Sequence, residues 1–229
     1  MKSHSQQSYI PALKYHALTR FYDLVVRLTT REGMFKNKLV ELAAPQAGEH
    51  VLDVGCGTGT LTYLLAEREQ KLRIKGLDAD PVQLERANSK VAAIGSQISF
   101  QQGYAQQLPD NAQTFDIVVS SLFFHHLTTH QKREALAEIL RVLKPGGRLH
   151  IADWGKPSSR IQRLMFFIVQ LLDGFETTRD SVKGTLPNHM KETGFTDVEN
   201  SRFVPTFLGT VRLFQAKKPS KQPNTAQLN

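Results

Sequence analysis

Residues 51–60 read Val-Leu-Asp-Val-Gly-Cys-Gly-Thr-Gly-Thr. An apolar run, a carboxylate and three glycines at every second position predict a buried strand, a tight turn and the opening of a helix. Gly55, Gly57 and Gly59 allow backbone conformations that a Cβ forbids, and they let a ligand approach the main chain where helix amides are unpaired. A nucleotide-cofactor site is therefore expected at this turn. A dinucleotide fingerprint requires glycine at its first, third and sixth positions, and the sixth position here is Thr60. That disfavours an NAD-dependent dehydrogenase.

The second half of such a site follows by counting, because an acid that accepts ribose hydroxyls ends the next strand about 20 residues beyond the glycines. Leu72-Arg-Ile-Lys-Gly-Leu-Asp78 reads as that strand, and Pro81 then opens a helix as a first-turn proline does.

From residue 50 onward, short apolar runs alternate with helical patterns, the signature of a doubly wound, mostly parallel α/β sheet with right-handed crossovers. Strands are predicted near 50–55, 72–78, 98–102, 115–121 and 147–153, and helices near 59–68, 81–94 and 131–143. Pro145-Gly146-Gly147 is read as the stop before the fifth strand. Asp197 to Pro205 and Gly209 to Ala216 look like a strand pair at one edge. The expected division is an N-terminal helical cap over 1–45, a catalytic domain over 46–218 with a lid over 156–195, and a disordered tail over 219–229.

With 229 residues and 40% apolar content, the chain suffices for one sizeable core. Its single cysteine, Cys56, excludes a disulfide framework within one chain and fits a reducing, cytoplasmic setting. No run of eighteen apolar residues occurs, so no membrane span is expected. The net charge of +8 is largely terminal: residues 1–49 carry seven Lys/Arg against four acids, and 217–229 carry three lysines and no acid. That distribution argues against a nucleic-acid partner.

Together, Val51-Leu-Asp-Val-Gly-Cys-Gly-Thr-Gly59, Leu77-Asp78, Gln107-Leu-Pro109, Phe115-Asp-Ile-Val-Val119 and Leu140-Arg-Val-Leu-Lys-Pro-Gly-Gly147 followed by Asp153 carry a resemblance. From about Tyr22 to Lys218 the chain resembles the ubiquinone/menaquinone-biosynthesis methyltransferase-like branch of class I S-adenosylmethionine (SAM)-dependent methyltransferases. The resemblance implies a seven-stranded sheet with an antiparallel terminal strand and SAM as cofactor. It implies that Gly55, Cys56 and Gly57 line the aminocarboxypropyl group, Asp53 organises the turn and reaches the ammonium, and Asp78 takes the ribose. Ala79, Tyr104, Ala105 and Gln106 fall at the adenine, Ser120 beneath the sulfonium, and Tyr22 over the methionine end. Tyr22 also lies on an amphipathic pattern with Leu13, Ala17, Phe21, Leu24, Val25 and Leu28, which reads equally as a helix interior.

One departure stands out. The family's loop after the third strand often reads Gly-Asp-Ala, whereas here it is Gly103-Tyr104-Ala105, so a phenol replaces the acidic acceptor of the adenine amine. A non-catalytic SAM-binding sensor or accessory subunit is the alternative that this departure keeps open. Exocyclic-amine nucleic-acid methyltransferases would carry Asn/Asp-Pro-Pro-aromatic where Ser120-Ser-Leu-Phe stands. Pyrimidine-C5 enzymes need a nucleophilic cysteine, and Cys56 is committed to the turn.

The branch methylates quinols, hydroxyls, amines and lipids alike, so the acceptor is expected to be a small molecule, quinol-like or lipid-like if apolar. His125, beyond the fourth strand with His126, is the candidate general base. No metal is expected: the spacing to His130 is possible, but no carboxylate or cysteine completes a site with these histidines. Residues 156–175 form an apolar segment with Lys156, Arg160 and Arg163 at one end. It reads either as a helix buried between the sheet edge and the N-terminal helix or as a peripheral membrane contact covering an apolar acceptor.

Overall fold

The computed structural model describes residues 32–220 apart from 93, 95 and 96, and the side chain of residue 201 is likewise outside the description. Tyr22 and the rest of residues 1–31, and residues 221–229 of the tail, lie outside the described residues.

Helix α1 (Glu32–Ala43) leads into β1 (His50–Val54), α2 (Thr60–Arg68), β2 (Arg73–Asp78), α3 (Pro81–Val91) and β3 (Gln97–Gln102). Then come β4 (Phe115–Ser121), a 3₁₀ turn (Phe124–His126), α4 (Thr129–Val142) and β5 (Leu143–Trp154). Three helices follow, α5 (Arg160–Asp173), α6 (Phe175–Lys183) and α7 (Leu186–Thr193), before β6 (Thr196–Pro205) and β7 (Thr210–Lys217). The seven strands form one sheet in the order β3-β2-β1-β4-β5-β7-β6. Only β7 runs against the rest, pairing antiparallel with both β5 and β6. The terminal pair expected at the edge is thus interleaved: β7 inserts beside β5, and β6 forms the edge.

Both faces of the sheet are covered, which is why its central strands are nearly continuous apolar runs rather than alternating ones. Leu52, Val54 and Val118 pack beneath Leu136 and Ile139 of α4 and Met190 of α7. On the opposite face Val51, Ile117, Val119 and Trp154 pack beneath Phe35 and Leu39 of α1, Leu65 of α2 and Phe166 of α5. Residues 32–43 are therefore part of the sheet's own core.

Local chemistry sets the helix starts. Asp80 caps α3 by accepting from the Val82 amide at 2.9 Å, with Pro81 in the first position. Helix α4 begins at Thr129, two residues before the expected start, because Thr128 and Gln131 form a reciprocal capping box. Pro145-Gly146-Gly147 does not separate helix from strand. Strand β5 begins at Leu143, opposite Phe115, and its register with β4 shifts before Ile117 meets Arg148. Lys218 spans this irregularity by donating from its backbone to Gly147 and accepting from Gly146.

Candidate cofactor site

The glycine turn is fixed by backbone bonds. Where β1 ends, the Gly55 and Cys56 amides both donate to the Leu77 carbonyl, at 2.8 and 3.1 Å, so the turn is tied to the neighbouring strand β2. Gly55, Gly57 and Gly59 have φ of 69°, 51° and 69°, the left-handed region that a Cβ makes costly. Their surroundings differ. A Cβ on Gly55 would lie 2.3 Å from the Phe123 ring, and one on Gly59 would lie 2.9 Å from Ala87 of α3, whereas one on Gly57 would meet nothing within 4 Å. Gly55 and Gly59 permit close packing, and Gly57 leaves open space at the mouth of α2.

Two carboxylates bracket the turn. Asp78, at the end of β2, accepts from the Gly57 amide at 2.8 Å through one oxygen and from the Asp80 amide at 3.0 Å through the other. Each oxygen keeps a second lone-pair direction for a ligand hydroxyl. Burial pushes the Asp78 pKa up, against these amide bonds. Asp53 is fully buried on the α1 side of the sheet, where one oxygen accepts from the Thr62 hydroxyl at 2.7 Å. Its other oxygen has no partner. Burial pushes its pKa up to about 6 despite Thr62 and the nearby Lys36. Cys56 is buried beneath the turn, against the bare Cα of Gly76, and burial followed by the charges of Asp53 and Asp78 pushes its thiol pKa up. It is neither a nucleophile nor a metal ligand there.

The third strand's loop returns to the same place. Gly103 donates to the Asp78 carbonyl at 3.0 Å, and Gln102 donates its side-chain amide to the Ala79 carbonyl at 3.0 Å. A tight turn in which the Gln107 amide bonds Tyr104 at 3.1 Å then leaves the Tyr104 ring 41% exposed. Ala105 is buried in the core and Gln106 is half-buried. Ser120, expected beneath the sulfonium, is fully buried and donates its hydroxyl to the Val54 carbonyl at 2.8 Å, bracing β4 against β1. The side chain that reaches the glycine turn from β4 is Phe123, and sequence reasoning missed it. Just before it, Leu122 holds φ at +50°, a strained conformation for a branched side chain.

The other wall is organised by Asp153, near the end of β5. One of its oxygens accepts from the Phe123 and His125 amides, at 3.1 and 3.2 Å. The other takes the Trp154 amide at 2.6 Å and Nδ1 of His125 at 2.7 Å. Burial opposes the Asp153 charge, but His125 and these donors outweigh it and hold its pKa low. An ionised Asp153 only accepts, so Nδ1 of His125 carries a proton and donates it to Asp153. Burial likewise opposes charging of His125, yet Asp153 and Asp173 outweigh it and raise its pKa. The two histidine rings lie 4.0 Å apart, His125 buried and His126 exposed.

A separate buried network secures the helices beyond. Lys132 of α4, 2% exposed, donates to Asp180 of α6 at 3.0 Å and to the Thr177 carbonyl at 2.6 Å. Burial pushes against the Asp180 charge, but Lys132, Thr129 and Thr185 prevail and bring its pKa down to about 2. Helix α5 buries Phe166, Val169 and Gln170. Apart from the half-buried Met165, its other apolar side chains stay exposed, Ile161 and Leu164 by 74% and 71%.

A methyltransferase-domain family model matches residues 51–147, from β1 through the irregularity in β5. The chain is 32% identical over 200 residues to an uncharacterized methyltransferase of Synechocystis, covering 86% of this chain and 90% of that one. It is also 32% identical over 164 residues to the demethylmenaquinone methyltransferase of Thermus thermophilus, covering 67% of this chain and 74% of that one. Its fold matches that of phosphoethanolamine N-methyltransferase 2 of Haemonchus contortus, solved with S-adenosyl-L-methionine, with a TM-score of 0.66 at 19% identity over 80% of this chain and 52% of that one. A glycine turn tied to an acid-ended β2, a sheet with β7 alone reversed, and these relatives place the chain in one family: it belongs to the class I SAM-dependent methyltransferases, in their ubiquinone/menaquinone-biosynthesis methyltransferase-like branch.

Proposed function

We propose that this methyltransferase acts on a small apolar acceptor, quinol-like or lipid-like, taken up at the wall formed by Phe123, the 3₁₀ turn and α5. The residues at the glycine turn fit SAM on a specific ground. Asp53 keeps a buried oxygen without a partner, and Gly57 leaves open space at a helix N-terminus. Asp53 and the turn residues Gly55, Cys56 and Gly57 hold the aminocarboxypropyl end, Asp78 accepts the ribose hydroxyls, and Ala79, Tyr104, Ala105 and Gln106 frame the adenine. When bound, SAM supplies a methyl group already activated by its positive sulfur, so the protein's task is positioning and exclusion of water. Phe123, strapped to Asp153 through its amide, presents an aromatic ring over Gly55, where it keeps water from the methionine end.

The observation that carries the apolar acceptor is the face of α5. Ile161, Leu164, Phe167, Ile168, Leu171 and Leu172 are exposed in a helix that starts soon after the carboxyl end of β5. Lys156, Arg160 and Arg163, all exposed, cluster at its start, which suits contact with an anionic membrane surface from which an apolar acceptor is drawn. No helix of the described residues is long and apolar enough to cross a membrane.

The test is methyl-labelled SAM offered with a short-chain quinol, a catechol and a primary amine, with label expected in the quinol. Label confined to water-soluble acceptors would overturn the apolar reading. Salt-sensitive co-sedimentation with anionic vesicles is expected as well, abolished by charge reversal at Arg160 and Arg163 with SAM affinity unchanged.

A further inference from the structure

Helix α5 ends on a carboxylate in an unfavourable place. The Asp173 side chain is 1% exposed, and neither of its oxygens has a hydrogen-bond partner. It also sits at a helix C-terminus, where the helix dipole is itself negative. Burial pushes its pKa up, and a carboxylate so placed is ionised only with a cation close by.

Its neighbour is Nε2 of His125, 3.7 Å away, a separation outside hydrogen-bond range. Asp153 holds Nδ1 of His125 and so turns Nε2 toward Asp173. The Nε2 atom and the carboxylate thus face each other across a gap too wide for a hydrogen bond. A carboxylate bonded to the far nitrogen of a histidine is the arrangement that orients metal-binding imidazoles. His126 completes the set: one ligand atom from each of His125, His126 and Asp173 lies within 4.8 Å of the others.

We propose that His125, His126 and Asp173 form a binding site for a divalent transition-metal ion of the zinc class. Two imidazole nitrogens and one carboxylate oxygen suit zinc or cobalt, whereas magnesium and calcium favour all-oxygen sets. Ligands on bonds of about 2.0–2.1 Å at a tetrahedral angle lie about 3.4 Å apart, so the gap between His125 and Asp173 closes by a few tenths of an ångström. His126, exposed, swings in the rest of the way. Three protein ligands leave one position open, on the side of the exposed histidine, where an acceptor oxygen can be polarised. A dipositive ion also neutralises the two carboxylates that flank His125. The absence of a carboxylate near these histidines in sequence is overcome by the fold, which brings Asp173 from the far end of α5.

The test uses the full chain without added histidines, stripped with chelator and dialysed against Co²⁺ or Zn²⁺. One Co²⁺ per chain is expected, with visible absorption bands of a low-coordinate N/O site. Affinity should fall at least tenfold in His126→Ala, disappear in Asp173→Asn, and stay unchanged in His130→Ala, whose side chain is exposed and pairs with Glu134. Should Asp173→Asn fail to fold, His126→Ala carries the comparison alone, since its ring is at the surface. Failure to retain an ion, or equal retention by parent and His126→Ala, overturns the proposal. So does imidazole ¹⁵N resonance showing His125 protonated on both nitrogens in excess Zn²⁺, which would make its partner for Asp173 a proton. Each readout is independent of methyl transfer, so the acceptor assignment can fail without affecting it.

Discussion

The two walls of the site are built in different ways. At the glycine turn the contacts run through backbone amides: Gly55 and Cys56 to Leu77, and Gly57 to Asp78. Around Asp153 and Asp180 they run between side chains far apart in sequence, 28 residues from His125 to Asp153 and 48 from Lys132 to Asp180. The first wall depends on φ angles, which only glycine supplies. The second depends on buried charges satisfying one another, so it stores its stability in pairs. The difference suits a family in which one cofactor meets many acceptors.

The largest expected effect falls on the second wall. Asp180→Asn removes the partner of a Lys132 ammonium that is almost wholly buried, and should cost about 3–5 kcal/mol in urea unfolding. Lys132→Met combined with Asp180→Leu should recover much of that loss. If Asp180→Asn weakened SAM binding as much as stability, the two walls would be one unit and the distinction would fail. Because the folded Asp180 pKa is depressed to about 2 from near 3.9, its contribution is complete above about pH 4 and lost as pH falls toward 2.

Next is Gly55→Ala, which combines a left-handed φ with a Cβ inside the Phe123 ring, at about 2–4 kcal/mol. Adding Phe123→Ala should relieve the clash and leave the backbone strain, a non-additivity that thermal unfolding of the four variants would reveal. Additive losses would mean that Phe123 does not pack on the turn.

Asp78→Ala should weaken SAM binding by about 1.5–3 kcal/mol in calorimetry, by removing a charged acceptor from the ribose. Unchanged affinity would remove Asp78 from the site.

The smallest effect tests the core beneath α1. His150 of β5 is buried with neither ring nitrogen bonded, and burial, then Arg148, brings its pKa down to about 4. The unfolded chain binds its proton near pH 6.5, so stability is full above that value and declines as pH falls toward 4. His150→Leu should stabilise by about 1 kcal/mol at neutral pH and flatten this decline. A steeper decline in the variant would place the titration elsewhere.

The same division explains what the sequence disclosed. The turn, Asp78 nineteen residues past Gly59, and the order of strands and helices were legible because glycine spacing and apolar periodicity are local signals. The start of α4 at Thr129 was missed although its signal, Thr128 and Gln131 three apart, was present. Pro145-Gly146-Gly147 read as a stop because a bulge and a turn share their residues, and only pairing with β4 and Lys218 distinguishes them. Phe123 was missed, since which residue after a strand faces the turn depends on the strained φ of Leu122. Asp173 was invisible beside His125: no spacing rule joins the end of one helix to a turn 48 residues earlier.

Calorimetric titration of S-adenosylhomocysteine, the product of methyl transfer, into the intact chain tests the central claim most directly. One site per chain is expected, with stability raised by about 2.7 kcal/mol at a hundredfold excess over the dissociation constant. No heat and no thermal shift at millimolar ligand, or a response to NAD in its place, would contradict it.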